Sequence, residues 1–77
     1  MPAVWFAIAA CEQPTGYGTQ WTAYSSGYEG AFGFAHSSWR GFKLPGYPSS
    51  ANQASAWQQY QVALAIYHRY GFSGWGC

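Results

Sequence analysis

Residues 4–16 read VWFAIAACEQPTG, and this stretch decides how the chain begins to fold. Its apolar residues Trp5, Ile8 and Ala9 stand three or four positions apart, which is the spacing of one face of an α-helix. Glu12 continues that face at the carboxyl end of the helix, and Pro14 favours an end soon after it. An apolar setting favours the protonated form of a carboxyl group, which is the form that a general acid needs. The stretch therefore predicts a helix that places Glu12 beside the core, although a solvated surface glutamate is the plainer alternative.

The composition limits what kind of protein this is. The chain has 77 residues, so we expect one domain over residues 1–77, near the lower size limit for an unaided core. Aromatic residues make up 22% of the chain and charged residues only 6%, against roughly 25% charged in ordinary domains. Three Lys and Arg residues are too few for the basic surface that nucleic acids require. A neutral, aromatic-rich surface favours an uncharged polar ligand such as a sugar.

The apolar start of the chain does not have the pattern of a signal peptide or a membrane span. The first positive residue is Arg40, so no basic segment precedes the apolar run. The run is also shorter than the ~20 residues that cross a bilayer. We therefore expect a folded helix here and no membrane insertion.

The middle of the chain predicts a small hairpin or an irregular loop, followed by a short helix. Residues 25–27, Ser-Ser-Gly, are typical of a turn between two short extended segments. Gly30 and Gly33 indicate places where the backbone comes close to a ligand or to a helix. Ser37 is the expected N-cap of the short helix that follows.

The clearest helix lies near the end of the chain. Ser55 and Gln58 have the spacing of a capping box, and Gly71 is typical of the residue just past a helix. The residues expected to line its apolar face are Tyr60, Ala63, Leu64 and Tyr67, with Val62 and Ile66 broadening that face.

Glu12 and Glu29 are the only two acidic residues, and they form a candidate acid/base pair. Glycoside cleavage uses two carboxyl groups, one to protonate the leaving oxygen and one to act on the opposite face of the sugar. Tyr28 and Gly30 beside Glu29 favour a ligand-facing loop, although a plain exposed glutamate fits the same sequence.

The two cysteines are Cys11 and Cys77. A bond between them would close a loop of about 67 residues and stabilise the domain by roughly 4 kcal/mol. Small cores often need such a covalent link, and it implies an oxidising compartment. The alternative is two free, buried thiols.

Three segments in order resemble the resuscitation-promoting-factor, or transglycosylase-like, domain of actinobacteria and their phages. They are WFAIAACE at residues 5–12, GYEGAFGFAHSSW at 27–39 and WQQYQVALAIYHRYGFSGWGC at 57–77, which together cover nearly the whole chain. The resemblance implies a minimal lysozyme-like fold of the α+β class, mostly α, with about three helices and a short β-hairpin. It also implies a glycosidase that cleaves the β-1,4 bond between N-acetylmuramic acid and N-acetylglucosamine in peptidoglycan.

The same resemblance implies roles for particular residues. The family's catalytic glutamate follows its first cysteine, which assigns the general acid to Glu12, and that cysteine pairs with the C-terminal one, which assigns a disulfide to Cys11 and Cys77. Gly33 and Tyr70 stand where relatives carry sugar-contacting glutamines. The candidate substrate-binding residues are Trp21, Tyr28, Gly33, Ser38, Trp39 and Tyr70.

Several alternatives stay open at this point. Glu29 serves a lysozyme-type hydrolase as second carboxylate, whereas a lytic transglycosylase uses Glu12 alone and releases a 1,6-anhydro sugar. A non-catalytic peptidoglycan-binding module and a small membrane-active antimicrobial peptide are the rivals from other classes. His36 and His68 have no Asp or cysteine cluster near them, so we expect no metal site, and no cofactor. We expect a monomer, acting on glycan strands outside the cell or in the wall, and a phage tail or lysis protein is one possible source.

Overall fold

The computed structural model describes residues 1–13 and 18–75. Three α-helices and a three-stranded antiparallel sheet make up this part of the chain, which confirms the expected α+β class with a majority of helix. The helices are α1 (Ala3–Glu12), α2 (His36–Phe42) and α3 (Ala56–Tyr70), and the strands are β1 (Tyr24–Ser25), β2 (Tyr28–Glu29) and β3 (Phe34–Ala35). Short 3-10 turns lie at Ala51–Gln53 and Gly71–Gly74.

Helix α1 buries the face that the sequence predicts. Trp5, Ile8 and Ala9 are buried, and Glu12 lies at the end of the same face, partly exposed. The indole of Trp5 is the centre of an aromatic cluster in which most rings meet edge to face. The rings around it belong to Phe32, Tyr60, Tyr67, Phe72 and Trp75.

Helix α3 begins and ends where its local signals indicate. The Ser55 hydroxyl accepts a bond from the Gln58 N–H, and the Gln58 side chain accepts one from the Ser55 N–H, so the predicted capping box is confirmed. Gly71 ends the helix with φ at +64°, a conformation that favours glycine. The fully buried face is Gln59, Val62, Ala63 and Ile66, with Tyr60, Leu64 and Tyr67 packed at its border.

The buried face of α3 is thus rotated from the expected one and includes a polar residue, Gln59. The described part of the chain contains no helix both long and apolar enough to cross a membrane.

The expected hairpin is formed by β1 and β2. Tyr24 pairs with Glu29 and Ser25 with Tyr28, and the two residues between the strands have left-handed backbones. Ser26 has φ at +54° and Gly27 at +83°, which is what a two-residue hairpin turn of type I′ requires. Strand β3, which pairs with β2, was not part of the prediction.

The expected N-cap at Ser37 is wrong. Helix α2 begins at His36, its N-cap is Ala35, and no side chain caps it. The pairing of β3 with β2 holds Ala35 in an extended conformation, so the chain enters the helix directly from the strand. A sheet contact therefore sets the start of this helix, in place of a capping hydroxyl.

Candidate active site

A groove of about 390 Å³ lies between the sheet, α2, and the end of α3 with the turn that follows it. The described residues that line it include no Asp, Glu, Lys, Arg or His. Aromatic rings, the hydroxyl groups of two serines and two tyrosines, and small residues make up its surface, which is the chemistry of a site for neutral sugar rings. The lining residues are Tyr28, Gly33, Phe34, Ala35, Ser38, Phe42, Ile66, Tyr70, Ser73, Gly74 and Trp75.

Gly33 joins this groove to Glu12. A methyl group built on Gly33 would lie 3.0 Å from the Oε2 atom of Glu12 and 3.2 Å from its Cβ. The backbone of Gly33 has φ at +64°, so both its conformation and its contact with the side chain favour glycine. The carboxyl group of Glu12 is therefore held against the backbone that lines the groove, and the expected close approach of Gly33 to a helix is confirmed.

The loop that carries Gly33 is held in place by Gln59, which is fully buried. The Oε1 atom of Gln59 accepts a hydrogen bond of 2.9 Å from the Ala31 N–H. Its Nε2 group donates to the carbonyl oxygens of Trp21, at 2.8 Å, and Ala54, at 3.1 Å. Gly30 lies directly against the Gln59 amide, where a methyl group would come within 2.9 Å of Cδ. A buried amide with three partners thus fixes the loop on α3.

Trp75 fixes the other end of this loop. Its indole Nε1–H donates a 3.2 Å hydrogen bond to the carbonyl oxygen of Phe32, the residue before Gly33. Phe32 has no exposed surface and Trp75 almost none. The loop is consequently tied to the last turn of the described chain as well as to α3, so the position of Gly33 beside Glu12 is set from two sides.

Glu29 lies away from the groove. Only 2% of it is exposed, and its Oε1 atom accepts a 3.0 Å hydrogen bond from the Ala51 N–H. Its Oε2 atom lies 2.7 Å from Nδ1 of His36, so one carboxylate joins β2, the start of α2 and the turn at Ala51–Gln53. The expectation of a ligand-facing loop at Glu29 is wrong, because successive strand residues point to opposite faces and the groove takes Tyr28 instead.

The family model of the transglycosylase-like domain matches residues 1–77. The chain belongs to the transglycosylase-like domain family. That family suggests lytic transglycosylase activity and implies peptidoglycan as the substrate. No curated protein matches the sequence.

Four of the six candidate substrate-binding residues of this transglycosylase-like domain line one groove. Tyr28 comes from β2, Gly33 from the loop before β3, Ser38 from α2 and Tyr70 from the end of α3. These segments are distant in the sequence, and only the tertiary fold brings them together. Their contact with a substrate stays a prediction.

Trp39 of the transglycosylase-like domain cannot line the groove, which corrects the expectation for it. It has no exposed surface, its Nε1–H donates a 2.8 Å bond to the Pro48 carbonyl, and its ring stacks on Tyr47. Trp21 is half-buried, packs edge-on against Phe32 at 5.5 Å between ring centroids, and does not line the groove either. Both indoles stabilise the core, as large aromatic side chains usually do.

The remaining predictions concern the cysteines and histidines. Cys11 lies in the last turn of α1, and Cys77 lies outside the described residues, so the disulfide stays a prediction. His36 bonds to Glu29, and His68 lies in a second cavity beside the groove. Among residues 1–13 and 18–75, no three metal-ligating side chains come together.

Proposed function

We propose that this domain is a lytic transglycosylase that cleaves the β-1,4 bond between N-acetylmuramic acid and N-acetylglucosamine, with Glu12 as its general acid. The observation that carries the proposal is that the chain has two acidic residues and only Glu12 adjoins the groove. The other, Glu29, is buried and bonded to the structure around it.

The reaction needs one carboxyl group in two successive roles. Protonated Glu12 gives its proton to the glycosidic oxygen while the bond from that oxygen to C1 of the muramic acid breaks. The carboxylate left behind accepts the proton of the 6-hydroxyl group of the same sugar, and that oxygen then bonds to C1. The products are a shortened strand with a free 4-hydroxyl group and a 1,6-anhydro sugar, and no water is consumed.

An intramolecular nucleophile removes the need for a second carboxylate. Glycosidases that use water place a carboxylate on each side of the scissile bond, roughly 5–9.5 Å apart. Glu29 is closed off from solvent and from the groove, so it is unsuited to activate water there. Attack by a hydroxyl group of the same sugar ring benefits instead from a high effective concentration. These two points favour the transglycosylase over the lysozyme-type hydrolase.

The surface of the groove suits an uncharged glycan strand. Tyr28 and Tyr70 are each about half exposed, at 52%, and amphipathic aromatic side chains of this kind suit contact with sugars. Ser38 supplies a hydroxyl group that can donate and accept hydrogen bonds, whereas the Ser73 hydroxyl donates a 2.6 Å bond to the Tyr70 carbonyl and keeps its acceptor capacity for a ligand. With such a substrate the protein would act on the cell wall. This holds both for a secreted protein and for a phage tail or lysis protein.

Mass spectrometry of digested peptidoglycan tests the proposal. We expect muropeptides with 1,6-anhydro ends, which are one water lighter than hydrolysis products, from the wild type and none from Glu12→Gln. Reducing ends in place of anhydro ends would overturn the transglycosylase in favour of a hydrolase. Wild-type protein that binds purified peptidoglycan without releasing any fragment would instead identify a binding module.

A further inference from the structure

A second cavity, of about 250 Å³, lies next to the groove. Phe42, at the end of α2, lines both of them, so its ring separates two spaces on one continuous surface. The second cavity is mainly apolar, with Leu44 and Tyr47 on one side and Leu64 and Ala65 of α3 on the other. A ligand bound in the groove therefore has apolar surface available to it just beyond Phe42.

Two basic residues are chain neighbours of the residues that line the two spaces. Lys43 stands in the chain between Phe42, which lines both spaces, and Leu44, which lines the second cavity. Arg69 stands between His68, which lines the second cavity, and Tyr70, which lines the groove. The guanidinium carbon of Arg69 lies 4.9 Å from the centre of the Tyr70 ring, a cation–π contact that holds the charge at this edge. The domain thus places two of its three Lys and Arg residues here.

We propose that the second cavity binds the acidic peptide that peptidoglycan carries on its muramic acid residues. The inference rests on the proposed function, since it assigns a place to the peptide of the strand that the groove would hold. The glycan itself is matched by the neutral groove, whereas the peptide brings small apolar side chains and free carboxylates. Apolar walls beside Lys43 and Arg69 fit those two properties together, and the amide of Gln61 in the same cavity offers a donor and an acceptor to a peptide backbone.

The electrostatic contribution of Arg69 to peptide binding is small, because this side chain is exposed to solvent. Arg69 is exposed, and an exposed ion pair changes binding about twofold to fivefold at low salt. Salt screens such a contact, because the Debye length falls from ~10 Å at 0.1 M to ~3 Å at 1 M. The apolar part should not weaken with salt, so the two contributions can be separated.

The test compares two substrates, intact glycan strands with their peptides and strands from which an amidase has removed them. We expect the wild type to release anhydro ends faster from the peptide-bearing strands. Ala65→Phe, which fills the cavity, should remove that preference and leave cleavage of stripped strands unchanged. Arg69→Gln should reduce the preference about twofold to fivefold in 0.1 M salt and less at 1 M. Arg40→Gln is the matched control, since it removes one exposed charge whose two chain neighbours line neither space.

The outcomes separate this inference from the proposed function. Equal cleavage of both strands by the wild type, or a preference that survives Ala65→Phe, would overturn the peptide site. If Ala65→Phe loses activity on stripped strands, the variant is misfolded. The preference for peptide-bearing strands is then compared between Arg69→Gln and Arg40→Gln, and an equal preference would overturn the peptide site. If neither kind of strand yields anhydro ends, the transglycosylase is refuted. The cavity is then tested by binding, as the affinity of the wild type and of each variant for peptide-bearing strands relative to stripped strands.

Discussion

Replacing Gly33 with alanine tests whether this glycine positions Glu12. The new methyl group would lie 3.0 Å from Glu12 Oε2 and 3.2 Å from Glu12 Cβ, so the side chain must shift by a few tenths of an ångström. A non-glycine residue in the left-handed conformation adds about 1–2 kcal/mol. For a domain of this size that lowers Tm by about 4–15 °C. Since a 1 Å misplacement of a catalytic group costs ~10²-fold in rate, we expect a loss on the order of tenfold.

Gly46→Ala is the matched control for this change. Gly46 also has a left-handed backbone, with φ at +91°, but no atom lies within 4 Å of a methyl group built there. Both variants should lose similar stability, measured by thermal unfolding, and only Gly33→Ala should lose cleavage rate, measured as anhydro ends released well below both Tm values. Equal rates for the two variants would refute the argument that Gly33 holds Glu12 in place.

Four other changes have definite expected outcomes. Glu12→Gln should keep the wild-type Tm and lose ~10²–10⁴-fold in rate, because Gln has no proton to transfer; wild-type lysis by a folded variant would remove Glu12 from the mechanism. Glu29→Ala should lower the free energy of unfolding by about 1–3 kcal/mol, because it leaves a buried N–H unpaired, while anhydro ends are still formed at temperatures where it is folded. Gln59→Leu should destabilise by a similar amount or more, since three hydrogen bonds are lost, and thermal unfolding against Gln53→Leu, at an exposed glutamine, measures the difference. Alkylation of denatured, unreduced protein should leave both Cys11 and Cys77 unmodified, and reduction should lower Tm by an amount that corresponds to roughly 4 kcal/mol; two alkylated thiols would exclude the disulfide.

Features set by neighbours along the chain follow from the sequence. The apolar spacing around Trp5 predicts the buried face of α1, and the pair Ser55 and Gln58 predicts the start of α3. Residues 26 and 27 are the turn of the hairpin, as their composition indicates. In each case the deciding interaction joins residues at most a few positions apart, so the pattern that encodes it is visible in a short window.

The use of each side chain is decided by contacts that join distant segments. Glu29, between a tyrosine and a glycine, has the sequence context of a loop carboxylate, but its partner N–H belongs to Ala51 and makes it a buried link. Tryptophan is a residue type on which sugars often stack, so the sequence allowed Trp39 to bind substrate. The bond to the Pro48 carbonyl and the surrounding rings hold it in the core instead. In the sequence, Gln59 is visible only as a polar residue one turn before Val62 and Ala63, which are apolar and buried on α3. The residues near it in the sequence do not indicate which groups its amide bonds.

The sequence by itself determined helices α1 and α3, the hairpin turn and the glutamate at the end of α1, because helix periodicity and capping act over three or four residues. Only the tertiary structure decided that Gly33 meets Glu12, that Glu29 does not share its groove, and that Lys43 and Arg69 flank the same boundary. Those relations depend on how α1, the sheet, α2 and α3 pack. Packing depends on many contacts between residues that are far apart in the chain, so it cannot be inferred from any short stretch of the sequence.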